Sequence, residues 1–186
     1  MALIEIRSVS PSARLGLWRM DEPFAGKPRD RERAAVASLL LAMTGDDSLL
    51  IDHEPSGRPF LSSTIHQSPV SISHTRGYAA LLLSTAGSVG IDIEYRSDRV
   101  ERIAHRFIRP DEMPLLNTTD DKLLVWSAKE TVYKLFSEQK LMFFDMQTTS
   151  IDSDVLHIKN MKLGTIVDVC YEFSEDYVLT YACLPS

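Results

Sequence analysis

The chain has 186 residues, 44% of them hydrophobic and 25% charged, which supplies a real core and excludes a disordered or low-complexity protein. Its net charge of −6 argues against a general nucleic-acid-binding surface, although a local basic patch is compatible with it. The two cysteines, Cys170 and Cys183, lie in apolar strand-like runs, match no metal spacing and read as buried free thiols of a reducing cytoplasm.

In chain order, the N-terminus carries Glu5, Arg7 and Arg14 where a secretory leader needs an unbroken apolar core. Residues 3–9 and 14–19 read as short strands. Residues 30–44, "DRERAAVASLLLAMT", have charges early and Gly45 at the end, the pattern of a helix. Its apolar run is too short to span a bilayer, so no membrane association is expected. Residues 53–69 read as a loop rich in Pro, Gly and Ser. Strand patterns follow at 70–75, 78–84 and 88–94, and the connections "RG" and "TAG" predict an antiparallel meander.

Residues 98–109 predict an amphipathic helix. Val100, Ile103, Ala104 and Phe107 line one side, and Arg99, Arg102, Arg106 and Arg109 another. Pro110 stops it, and Glu112 follows in a short turn. A longer helix is expected from about Asp120 to Glu138, then strands from 147 to 183. The order β–α–β, helices, β fits an α+β domain better than alternating βαβ units.

The candidate chemistry sits in two of these elements. In "SVGIDIEY" apolar residues alternate with polar ones, so Asp92 and Glu94 share one strand face. A solvated sheet face tolerates acids, yet Asp and Glu are depleted in strands. In "WSAKETVYK", Trp126, Glu130 and Lys134 recur every fourth residue on one helical face, leaving Val125, Val132 and Leu135 for the core. Taken alone, Glu130 and Lys134 read as a surface pair worth about 0.2–0.5 kcal/mol. Together with Asp92 and Glu94, Glu130 would complete an oxygen site for Mg²⁺, an ion held by one or two carboxylates, waters and substrate phosphates. Phosphates call for cations, and His74 in "SISHT" and Arg58 in "SGRP" are candidates, each with an ordinary structural alternative. No phosphate-binding loop, dinucleotide fingerprint, zinc-protease or CxxC pattern is present.

Read in order, "GRP", "SISHT", "GIDIE", "RF" and "WSAKETVYK" resemble the 4′-phosphopantetheinyl transferase superfamily, in particular its larger, single-chain surfactin-synthetase-activating type. The specific motifs span about residues 54–137. The resemblance implies an α+β fold of two similar α+β halves forming a pseudo-dimer. Residues 1–87 would carry the nucleotide end of the site and 88–186 the metal and catalytic motifs, with the active site in the cleft between them. It also implies a reaction, transfer of 4′-phosphopantetheine from coenzyme A to a serine of an apo carrier protein, releasing adenosine 3′,5′-bisphosphate.

Carried over by position, Asp92, Glu94 and Glu130 would be ligands of Mg²⁺, with Mn²⁺ the other candidate. Arg58 and His74 would contact coenzyme A phosphates, Ser73 would help place the nucleotide, and Lys134 would sit at the pyrophosphate with Lys129 a nearby contact. Glu130 and Lys134 would be catalytic, Glu130 taking the serine proton, with Glu112 a second candidate base. Arg99, Arg102, Arg106 and Arg109 would dock an acidic acyl, peptidyl or aryl carrier. No nucleic acid or membrane partner is implied, and the expected state is a monomer. Thr75 stands where the family usually has Ser, and Arg58 where it often has Lys. The region before "GRP" is short, and no basic residue there matches the family's 3′-phosphate contacts by motif, which leaves Arg31 and Arg33 as bare candidates. Two other readings use the same residues, a divalent-metal phosphohydrolase and a non-catalytic carrier-binding relative. Retention of all three acids and Lys134 counts against the latter.

Overall fold

The computed structural model describes residues 2–62 and 67–185, and they form two compact units, Met1–Ile91 with Cys183–Ser186, and Asp92–Ala182. The fold is mixed α+β with two sheets.

The first unit contains strands β1 (Ala2–Ser8) and β2 (Ala13–Arg19), helix α1 (Pro28–Thr44), and strands β3 (Leu50–His53), β4 (Pro59–Ser62), β5 (Gln67–Thr75) and β6 (Tyr78–Ser84). The strands form a six-stranded antiparallel sheet in the order β1-β2-β6-β5-β4-β3. Helix α1 buries Ala35, Val36, Leu39, Leu40 and Met43 against Val70, Ala79 and Leu81 of the sheet. Gly16 of β2 permits that approach, because a Cβ there would lie 2.6 Å from Met43 Sδ and 2.8 Å from Leu39 Cδ1. Pro28 opens the helix, where its missing N–H costs nothing, and left-handed Gly45 closes it by donating to the Leu41 carbonyl at 2.8 Å. The stretch expected as loop over 53–69 instead contains β4 and the start of β5, because Gly57 at φ 87° turns β3 back onto β4; residues 63–66 of that stretch lie outside the described residues.

The predicted meander is corrected. Strands β5 and β6 pair as expected, but β7 (Ser88–Tyr95) leaves them and joins a five-stranded sheet, order β7-β11-β10-β9-β8. The turn before it is no simple hairpin. Gly87 (φ 73°) packs so tightly on the Leu184 backbone that a Cβ would fall 1.9 Å from its carbonyl oxygen.

The second unit continues with α2 (Arg99–Ile103), α3 (Thr119–Leu135) and strands β8 (Met146–Ile151), β9 (Val155–Asn160), β10 (Thr165–Phe173) and β11 (Tyr177–Leu184). The amphipathic helix expected over 98–109 is shorter. It passes at Ala104 into a single 3₁₀ turn, and Phe107 and Ile108 both donate back to the Ala104 carbonyl. Helix α3 ends at Leu135 rather than Glu138, with a separate 3₁₀ turn at Ser137–Gln139. A capping box starts it: Thr118 Oγ1 accepts from the Asp121 N–H at 3.1 Å, and the Asp121 carboxylate accepts from the Thr118 N–H at 2.8 Å. Leu124, Val125, Ala128, Val132 and Leu135 are buried on the helix, and Leu156, Ile158, Val167 and Val169 on the strands. Both cysteines are free thiols, but half-buried rather than fully buried. Among the described residues no helix is long and apolar enough to cross a membrane.

Candidate active site

Strand β7 keeps its alternation, but neither face is solvated at its centre. Val89, Ile91 and Ile93 are buried as expected, and Asp92 is only 4% exposed. Helix α3 covers the acidic face and supplies its partners. Asp92 Oδ1 accepts from Lys134 Nζ at 2.8 Å, and Oδ2 from Ser127 Oγ at 2.9 Å. Glu94 Oε1 accepts from the Trp126 indole N–H at 2.8 Å. Trp126, Glu130 and Lys134, one helical turn apart, thus do share the face that meets the strand acids.

Ser127 extends a buried polar chain. Its one proton goes to Asp92, so Thr180 Oγ1 must donate to Ser127 at 2.9 Å, and Thr131 in turn donates to Thr180. Every hydroxyl of this chain is satisfied, which keeps the polar core from carrying a desolvation cost. The sequence reading missed Ser127 and Thr131. Their i, i+4 spacing on the buried side of α3, among Leu124, Ala128 and Val132, is the signal that would have found them.

The electrostatics follow from burial and crowding. Burial, with the charge of Asp92, pushes Glu94 up to about 7 against the opposing Trp126 hydrogen bond. Glu130 is raised by burial and by Asp92, eased by Lys134. Three carboxylates repel one another around a single ammonium, an all-oxygen donor set that added positive charge would relieve. Among the described residues no three His, Cys, Asp or Glu side chains are already gathered tightly enough to hold a metal alone. Carboxylate oxygens are donors of the kind that a hard divalent cation takes.

Lys129 and Glu112 lie together in the interior. Both side chains have 0% exposure and pair at 2.8 Å. Lys129 Nζ also donates to the Phe107 carbonyl at 2.7 Å, and Glu112 accepts from the backbone N–H groups of Arg109 and Thr148. Burial lowers Lys129 from its ordinary value, and Glu112 opposes that. In this arrangement the Lys129 ammonium and the Glu112 carboxylate are engaged with each other and with backbone groups. Of the four arginines, Arg99, Arg102 and Arg106 are exposed. Arg109 lies beyond the helix and forks onto Asp111 at 3.0 and 3.2 Å while donating to the Phe144 carbonyl at 2.6 Å, so the stripe is not one helical face.

The first unit holds the remaining candidates. His74, at the end of β5, lines a cleft of about 420 Å³ with Phe24, Arg31, Glu32 and Arg76. His74 Nε2 lies 3.5 Å from Glu32 Oε2. Ser73 is buried beside it in the strand. Arg58 does not line this cleft and donates to Ser88 Oγ at 3.4 Å. Arg33 is exposed on α1 and also lies outside the cleft.

The profile of the 4′-phosphopantetheinyl transferase superfamily matches residues 88–182, just over half of the chain. The chain belongs to this superfamily. Curated proteins offer no matching relative. The phosphopantetheinyl transferase match runs from the first residue of β7 into β11, so it contains Asp92, Glu94, Trp126, Glu130 and Lys134. Arg58, Ser73 and His74 lie outside it. The superfamily's chemistry is phosphopantetheinylation of carrier proteins with coenzyme A as substrate, which makes this chain a transferase of that kind.

Proposed function

We propose that this phosphopantetheinyl transferase moves 4′-phosphopantetheine from coenzyme A to a serine hydroxyl of an acidic apo carrier protein, as a cytoplasmic single-chain monomer of the surfactin-synthetase-activating type. The observation that carries the reading is the meeting of Asp92 and Glu94 on β7 with Glu130 and Lys134 on α3 in one partly buried polar face. Asp92, Glu94 and Glu130 would hold Mg²⁺ or Mn²⁺, whose charge would stabilise the pyrophosphate oxygens as the bond breaks.

The chain's own groups do the rest. The serine oxygen attacks the phosphorus that bears the pantetheine, and the bond to the bridging oxygen breaks. Adenosine 3′,5′-bisphosphate leaves with that electron pair. Glu130 receives the serine proton. Lys134, half-buried and held on Asp92 at 2.8 Å, supplies a preorganised positive charge for the departing phosphate. Arg31, Arg76 and His74 line a cleft whose charge would suit a 3′-phosphate. Ser73 would support the nucleotide from the neighbouring strand position and Arg58 a phosphate from the β3–β4 turn. Arg99, Arg102 and Arg106 would offer the carrier a positive surface on an otherwise acidic protein.

The test is a transfer assay with coenzyme A, Mg²⁺ and apo carrier protein, read by intact mass of the carrier. A phosphopantetheine adduct that disappears in folded Asp92→Ala and Glu130→Ala proteins is expected. Hydrolysis of coenzyme A without an adduct would favour a phosphohydrolase instead.

A further inference from the structure

Glu94 is held through a longer chain of contacts than Asp92, and that chain starts at the buried lysine. The Trp126 indole that donates to Glu94 is stacked on Phe143, with centroids 4.9 Å apart and planes at 30°, and meets Phe107 edge-on at 5.1 Å and 73°. Phe107 and Phe143 also touch each other, at 6.3 Å and 61°. The backbone carbonyls of these same two residues converge on one group. Lys129 Nζ donates to Phe107 O at 2.7 Å and approaches Phe143 O at 3.5 Å. Its charge is compensated by Glu112, which the Arg109 and Thr148 N–H groups fix in turn.

One ammonium thus ties together the two chain segments whose rings clamp the tryptophan. A stacked indole has one N–H direction, and here that direction ends on the Glu94 carboxylate. We propose that Lys129 and Trp126 are positioning residues. Lys129 sets the spacing of Phe107 and Phe143, their rings fix the Trp126 plane, and its N–H aims Glu94 as a metal ligand. This rests on the metal reading above. It gives the lysine of the "AKE" motif a role inside the protein, and it makes the tryptophan more than core filling. Outer partners that orient a metal-binding carboxylate commonly matter by about 10–100-fold in affinity or activity.

The experiment uses the full chain and Mn²⁺ alone, with free Mn²⁺ counted by electron paramagnetic resonance. Trp126→Phe keeps an aromatic ring in the stack and removes the N–H donor along with part of the indole. The expected result is an unfolding midpoint close to wild type, a Mn²⁺ dissociation constant raised about tenfold, and no further loss when the change is added to Glu94→Gln. Lys129→Met, checked for folding by near-UV circular dichroism, should weaken Mn²⁺ in the same direction. A Trp126→Phe protein within twofold of wild type, beside a weakened Glu94→Gln, would overturn the positioning role and leave the metal reading standing. Wild-type protein that binds no Mn²⁺ would overturn both.

Discussion

The two units use the same building plan for different ends. Each lays a 17-residue helix on an antiparallel sheet. Helix α1 buries only Ala, Val, Leu and Met, while α3 buries Ser127, Lys129 and Thr131 among its apolar residues. The ends differ as well. No side chain caps the start of α1 at Lys27, whereas α3 begins in a reciprocal capping box. A dry helix face makes a scaffold. A helix face with satisfied polar groups can also hold charge in fixed positions, which is what a phosphate-transfer site needs.

That contrast can be broken by mutation. The largest effect is expected at Asp92→Asn, which leaves Lys134 and Ser127 facing a neutral amide; transfer should fall by about 10²–10³, as when one preorganised electrostatic group is lost. Stopped assays on folded protein measure it. Next, Lys129→Met leaves Glu112 buried and uncompensated and should cost about 3–5 kcal/mol in urea unfolding. Leu39→Ala, its counterpart in the apolar interface of α1, should cost about 2–5 kcal/mol through transfer and cavity terms alone.

The two helix starts differ on a smaller energy scale. Thr118→Ala removes a working cap from α3 and should cost about 0.5–2 kcal/mol, while Lys27→Ser adds a capping hydroxyl to α1 and should stabilise. Thermal unfolding of the two variants should move in opposite directions.

The smallest effect is expected from an exposed cluster. Protonated His157 donates through both ring nitrogens, to Asp168 at 2.7 Å and Asp152 at 2.9 Å. The bond to Asp168, then that to Asp152, raises its pKa above the ordinary value, so the folded state favours the imidazolium. Its stabilisation is complete below the unfolded value, about 6.5, and is lost as pH rises through the higher folded value. Melting curves of wild type and His157→Gln should differ most at acidic pH and converge at alkaline pH.

Local pattern made much of this legible. The alternation in "GIDIE" put both acids on one strand face, and the four-residue spacing in "WSAKETVYK" put Trp126, Glu130 and Lys134 on one helix face. That the two faces meet is a long-range fact, which only the motif resemblance carried forward. Where local pattern failed, a distant contact decided. Strand β7 joins β11 instead of β6, α2 yields to a 3₁₀ turn at Ala104, and Arg109 turns to Asp111 and the Phe144 carbonyl. Lys129 shows the limit most clearly. The motif resemblance makes it a contact near the pyrophosphate, and the structure places it about 100° round the helix from Glu130, where Glu112 is buried with it.

In the proposed reaction the β7–α3 polar face carries out the transfer. The most direct test is the intact mass of an apo carrier protein after incubation with coenzyme A, Mg²⁺ and either wild-type chain or a folded Glu130→Gln variant. The prediction is one phosphopantetheine added to the carrier serine by wild type and a rate for the variant lower by about 10²–10³. Equal rates for the two proteins would show that Glu130 and its face do not carry out the transfer.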